Sequence, residues 1–264
     1  MFMKRKAVLG LVAMSFAAVV LATSCFTVPA SAKVRTGEVP VNRDYTELEV
    51  RSAIDVTWSE TASAITLSAD ESIYDQVVIE REGYKLKIYV KNSIKKRTSG
   101  SVKVVLPSSD RLDDIELSGA SSFTSSTVLS AREMDIELSG ASKFVADLSI
   151  AGELDINGSG ASKIVSSINA GELSLDFSGA SEAELSGTVG KTDLELSGAS
   201  ALTSKDSVLV TGDTECEISG ASSAKISCSG RLWGVVSGAS SIRYGKGATS
   251  VNVKCSGASS ARPE

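Results

Sequence analysis

The residues of this sequence best placed to do chemistry are carboxylates that come in pairs. Asp114/Glu116, Asp135/Glu137, Asp193/Glu195 and Glu215/Glu217 each flank a single residue, and Asp155 and Asp176 stand at related positions. Repeated pairs of this kind offer hard oxygen ligands suited to Ca²⁺. They equally suit a solvated face that keeps a β-structure soluble and discourages sheet-to-sheet association. The nine-residue Gly/Asp motif of calcium-loaded β-rolls is absent. No cofactor is expected, and Ca²⁺ is the one ion those eight paired residues suggest. Two carboxylates also serve glycoside hydrolysis, but there they meet in one cleft. Here the acids recur along the chain, which marks a scaffold, and the expectation is a protein that is not an enzyme.

The chain has no histidine, which removes imidazole-based serine or cysteine catalysis and histidine-ligated zinc. Four cysteines lack the CxxC spacing of a metal site. Cys216, Cys228 and Cys255 are an odd number for internal pairing and read as small apolar residues. Near the C-terminal end Trp233 and Val235 stand where acids stood earlier, followed by Arg243 and Tyr244. An outward Trp beside an apolar neighbour marks a partner-binding surface; packing beneath the tail at 260–264 is the competing reading. Residues 110–264 carry 21 acids against 12 bases, and nothing suggests a nucleic-acid surface.

What positions these residues is a repeat. Ser-Gly-Ala-Ser begins at Ser118, Ser139, Ser159, Ser178, Ser197, Ser219, Ser237 and Ser256, at intervals of 21, 20, 19, 19, 22, 18 and 19 residues. A period near twenty means stacked coils, none of which buries its apolar face alone. Before four of the tetrapeptides apolar residues alternate strictly with acids, as in Asp114-Ile115-Glu116-Leu117, the period-two mark of a strand with one face inward. Phe123, Phe144, Ile164, Leu202 and Ile242 mark a second inward position after a bend made by the small residues. Coils in common register stack in parallel at about 4.8 Å, roughly 34 Å over seven steps. The fold class expected is all-β: a parallel right-handed β-solenoid of about eight coils. The serine columns either hydrogen-bond one another and the turn backbone or present hydroxyls to a sugar.

Residues 33–109 read as irregular short strands that cap the first coil, with a hairpin turn at Glu82-Gly83 and a basic loop from Lys91 to Lys103. The last coil has no matching cap, so its edge is open to self-association. Residues 1–32 read as a signal peptide: Lys4, Arg5 and Lys6, an apolar run from Ala7 to Ala22, then Ala30-Ser31-Ala32. Leu21-Ala22-Thr23-Ser24-Cys25 also resembles a lipobox, which would remove 1–24 and acylate Cys25. The protein is therefore exported, to the periplasm or the cell surface, with membrane contact only through such a lipid.

Tyr45-Thr46-Glu47-Leu48-Glu49-Val50 followed by Ala53-Ile54-Asp55-Val56 resembles the opening signature of the auto-transporter adhesin head GIN domain family. Leu67-Ser68-Ala69-Asp70-Glu71, Leu86-Lys87-Ile88-Tyr89 and the Ser-Gly-Ala-Ser ladder extend the resemblance over about residues 38–264. The family's opening motif usually carries a glycine where Ser52-Ala53 stands. The resemblance implies an exported β-helical domain of the kind common in Bacteroidota-like bacteria, with an adhesin label and no catalytic residues. Three functions remain in view: an adhesin-like interaction protein of the cell envelope with a protein or glycan ligand, a glycan-binding or polysaccharide-active module, and an end-to-end associating structural protein.

Overall fold

The computed structural model describes residues 33–91 and 101–264. The expected export signal, the lipobox at Cys25 and most of the Lys91–Lys103 loop lie outside the described residues. Those residues form strands throughout, apart from the single turn of helix Glu71–Tyr74, and no helix among them is long and apolar enough to cross a membrane. The architecture is a parallel β-solenoid of about eight turns.

The stacking follows the tetrapeptides. Asp114–Leu117 pairs in parallel with Asp135–Leu138, which pairs with Asp155–Gly158, each apolar residue opposite its counterpart one repeat on. The same register continues through Leu175, Leu194 and Cys216, so the side chains alternating inward form continuous columns. Beyond the corner a second stack runs Phe123, Phe144, Ile164, Ala183, Leu202, Ala224, Ile242. Nearly all of these residues are fully buried. The Phe123 and Phe144 rings stack with centroids 5.3 Å apart, and Trp58 packs on Phe123 at 6.0 Å. Where one rung carries a large side chain its neighbour gives way: a Cβ on Gly158 would lie 2.7 Å from the Phe177 ring.

The corner explains its own sequence. Each glycine of the eight Ser-Gly-Ala-Ser units has φ between +72° and +79°, a left-handed conformation costly for any L-residue with a Cβ. From Gly140 onward, a Cβ would also come within 3.0 Å of the carbonyl oxygen of the glycine one rung before. That closeness lets the next alanine N–H reach the same oxygen, as Ala180 N does to Gly160 O at 2.7 Å. The second serine of each unit turns inward and is about 1 % exposed in seven corners. Its hydroxyl donates to the first serine's carbonyl in most corners, for instance Ser142 Oγ to Ser139 O at 2.7 Å. These bonds satisfy a buried hydroxyl and lock the turn at once.

A second glycine column, Gly152, Gly171, Gly190 and Gly212, makes a further bend in four successive coils; a Cβ would lie 3.0 Å from a backbone oxygen at the first two and 2.6 and 1.9 Å from one at the last two. The long strands Lys163–Phe177 and Glu182–Leu196 run through that bend without interruption.

The parallel stack starts before the first tetrapeptide. Glu47–Val50 and Ile54–Ser59 lie directly on Asp114–Leu117 and Ser122–Ser125 in matching register. Lys85–Val90 and Val102–Pro107 lie on the other side of the same two strands, also in parallel. Chain order and spatial order therefore differ: residues 47–59 are sandwiched between a later segment and the first repeat. The remaining strands pair antiparallel, Val34–Val39 with Ile65–Asp70 and Val77–Glu82 with Lys85–Val90 across the Glu82-Gly83 turn. Residues 33–109 and 110–264 share one continuous core.

Candidate functional site

The outward positions of the strands before each corner form two columns. One runs Asp114, Asp135, Asp155, Ser174, Asp193, Glu215; the other runs Glu116, Glu137, Asn157, Asp176, Glu195, Glu217. The eight residues named for cation binding thus stand in register on one face, with Ser174 and Asn157 interrupting the acids near the middle. The columns also continue backward, where Glu47 lies beside Asp114 and Glu49 beside Glu116. There the charge is compensated: Lys85 pairs with Glu47 at 3.3 Å, and buried Glu49 pairs with Arg51. At the far end Trp233 and Val235, then Asn252 and Lys254, replace the acids.

Between these ends the carboxylates feel one another. Burial raises the Asp135 carboxyl above its ordinary range, and Asp155 adds to the shift. Glu195 is raised likewise, by desolvation and then by Asp176, Asp193 and Glu217. Asp114 is raised by burial against the opposing pull of Lys85. Like charges one strand apart repel, and only solvent screening moderates the cost. The acids remain strung along columns: among the described residues, no group of three or more Cys, Asp or Glu side chains converges to hold a metal ion.

Two shallow grooves follow this face. One, of about 300 Å³, is lined by Glu116, Glu137, Asn157 and Asp176 on one side and by Ser139, Ser159 and Ser178 on the other. The next, of about 180 Å³, continues it with Asp176, Glu195 and Glu217 against Ser197, Ser219 and Ser237. The first serine of each corner therefore faces the acidic columns, while the second is committed to the turn. The second serines thus make the turn hydrogen bonds expected of the tetrapeptide, and first serines line the grooves.

The four residues named for partner binding stand on two strands of one coil, Arg231–Val236 and Ser241–Tyr244, on either side of the corner. Trp233 and Val235 extend the acidic columns, Val235 at 44 % exposure, and Arg231 lies over the Trp233 ring at 5.3 Å while pairing with Asp213. Arg243 projects from the strand after the corner, and Tyr244 packs partly buried against the core. Strand Ser260–Pro263 stacks on Ser241–Tyr244, placing Pro263 beside Tyr244. Cys216 and Cys228 are buried and Cys255 exposed, all as free thiols; burial pushes Cys216 up to about 12. Cys255 departs from the core role expected of it because it sits on the outermost strand, Ser250–Cys255, most of whose residues are exposed.

A repeated corner of stacked Ser-Gly-Ala-Ser turns, with acidic columns on one outer face, defines the class of the protein: a parallel β-solenoid. The chain belongs to the family described as "Putative auto-transporter adhesin, head GIN domain", whose profile matches residues 44–248. Its fold is shared with the crystal structure of a "putative adhesin" from Parabacteroides distasonis, at 20 % identity and TM-score 0.74 over 88 % of this chain and 98 % of that one. A "putative adhesin" from Parabacteroides merdae matches at 19 % identity and TM-score 0.74, covering 88 % and 96 %. A "putative lipid binding protein" from Parabacteroides distasonis matches at 23 % identity and TM-score 0.75, again over 88 % and 96 %. No curated protein matches the chain.

Proposed function

We propose that this is a non-catalytic, adhesin-like interaction protein of the cell envelope that works through the surface of a rigid solenoid. Family membership supports the adhesin-like role. The observation that carries the non-catalytic part is the sameness of the outer face: carboxylates and hydroxyls recur rung after rung in register, and the grooves beside them are chemically alike. Catalysis requires one set of groups arranged differently from all others, whereas adhesion gains from many equivalent contacts. Export follows from the N-terminal segment, with cleavage after Ala32 or acylation at Cys25 setting a free or lipid-anchored form. Binding of purified protein to arrays of glycans and of extracellular proteins tests the role, alongside a reducing-sugar and unsaturated-product assay. Turnover of any polysaccharide would overturn the non-catalytic reading, and mass spectrometry of the mature N-terminus separates the two export routes.

A second reading, a glycan-binding module, is favoured by one specific observation. The first serines of successive corners line the same grooves as the acids, which places hydroxyls and carboxylates side by side. Binding confined to hydroxyl-rich glycans, and lost on replacing Ser159 and Ser178 with alanine, would support it.

A further inference from the structure

The face beyond the corner ends in a run of cations at the C-terminal end of the solenoid. One outward column there runs Glu184, Thr203, with Lys225, Arg243 and Arg262 occupying the matching positions toward the C-terminal end. The three cations stand in direct register, one strand apart, with Ser223, Ser241 and Ser260 in the column beside them. Lys225 pairs with Glu264 at 3.1 Å. Among the described residues Arg243 and Arg262 make no ion pair and are exposed.

On the opposite side of the corner, Asp176, Glu195 and Glu217 form an uninterrupted run of three acids in register. All three are exposed, and among the described residues none makes an ion pair. They border the smaller groove. Both runs have the same repeat because both are set by the spacing of stacked strands, about 4.8 Å. They project from strands on either side of the Ser-Gly-Ala-Ser bend, so within one molecule they cannot neutralise each other.

We propose that these two runs are the halves of a side-by-side contact between copies of this chain, with Lys225, Arg243 and Arg262 of one copy laid along Asp176, Glu195 and Glu217 of the next. Arg243 and Arg262 meet anions at matched spacing, rung for rung, and Lys225 exchanges its Glu264 partner for a carboxylate of the neighbouring copy. Opposite charges brought together this way set register and partner choice more than raw affinity. Each copy carries one run of each sign, so the contact is heterologous and propagates from copy to copy unless the rotation closes a ring. It is distinct from end-to-end pairing at the last coil, which needs backbone edges and not these side chains. It stands whether or not the protein also binds a foreign surface.

Sedimentation velocity of the purified protein at low and high salt tests this. Screening lengths contract from roughly 30 Å at 0.01 M salt to about 3 Å at 1 M, so association should weaken by at least about tenfold across that range. The pair of substitutions Arg243→Glu with Arg262→Glu should leave the protein monomeric at low salt, as should Glu195→Arg with Glu217→Arg. Mixing the two variants should restore association, because the reversed runs are complementary; a variant that merely misfolded would not be rescued. The proposal is overturned by a wild-type protein that stays monomeric at low salt, or by either variant associating alone as the wild type does. It also fails if a mixture of two variants that keep wild-type spectra and melting remains monomeric. A monomeric wild type that binds polygalacturonate through Arg243 and Arg262 would instead assign the basic run to a foreign acidic polysaccharide.

Discussion

Replacing Gly179 by alanine puts the corner to a quantitative test. Gly179 has φ +75°, and a Cβ there would lie 2.5 Å from the carbonyl oxygen and 3.1 Å from the nitrogen of Gly160 on the rung before. The left-handed backbone alone costs an L-residue about 1–2 kcal/mol. Loss of chain entropy in the unfolded state returns about 0.4–1 kcal/mol of that. The close approach adds about 1–3 kcal/mol, because the oxygen it meets is backbone and cannot turn aside as a side chain can. Moving it would stretch the 2.7 Å bond from Ala180 N to Gly160 O. The expected loss is about 1–4.5 kcal/mol in sum. Gly83→Ala supplies the control: φ is +62° but nothing lies within 4 Å of the added Cβ. Only the backbone part applies there, about 0–1.5 kcal/mol. Urea unfolding followed by the fluorescence of Trp58 and Trp233, and by circular dichroism, measures both. If the two substitutions cost the same within about 0.5 kcal/mol, glycine is not there to let the rungs approach, and the stacked-corner argument fails.

The reverse change should help at a corner that lacks glycine: Ser52 and Ala53 have φ +75° and +59°, and Ser52→Gly should stabilise by about 0.5–1 kcal/mol in the same assay. Phe144→Ala, which empties the centre of the Phe123–Phe144 stack, should cost about 3–5 kcal/mol by urea midpoint. Stability should first rise as pH falls from neutral. Asp114, Asp135 and Glu195 have folded-state carboxyl values raised by burial and by neighbouring acids, so the native state takes up protons more readily than the unfolded chain through that window. In stronger acid the trend should reverse, because Lys205 holds Asp147 low and Arg231 holds Asp213 low, and those ion pairs disappear as their carboxylates protonate. Melting temperature against pH checks this, with Asp135→Asn expected to flatten the rising limb; a monotonic fall from neutral pH would contradict it.

The solenoid was legible because a parallel stack writes each column into the sequence at a fixed period. Ile115, Ile136 and Ile156 are neighbours in space for the same reason they recur in the chain. The acidic columns were legible on the same ground, as outward positions of strands whose inward positions were plain. The second glycine column was equally periodic, at Gly152, Gly171, Gly190 and Gly212. It is harder to read because single glycines lack the flanking serines that mark the first corner. The division of the serines between turn and groove could not be read from identical letters; it depends on which hydroxyl points inward at the bend.

The N-terminal third resisted for a different physical reason. Its rungs are parallel to the rest, yet Leu48 and Val50 lie between Leu86 and Ile88 on one side and Ile115 and Leu117 on the other. A column assembled out of chain order leaves no period to find. Its corner, Arg51-Ser52-Ala53-Ile54, takes the left-handed turn with side chains that normally avoid it. The rungs are also further apart here: a Cβ on Gly119 would stand 3.4 Å from Ser52 N, an ordinary contact, where every later corner would collide with the rung before it. Glycine is therefore demanded at a corner by the approach of the rung beside it as well as by the dihedral. Only where both demands act together does the sequence repeat the residue without exception.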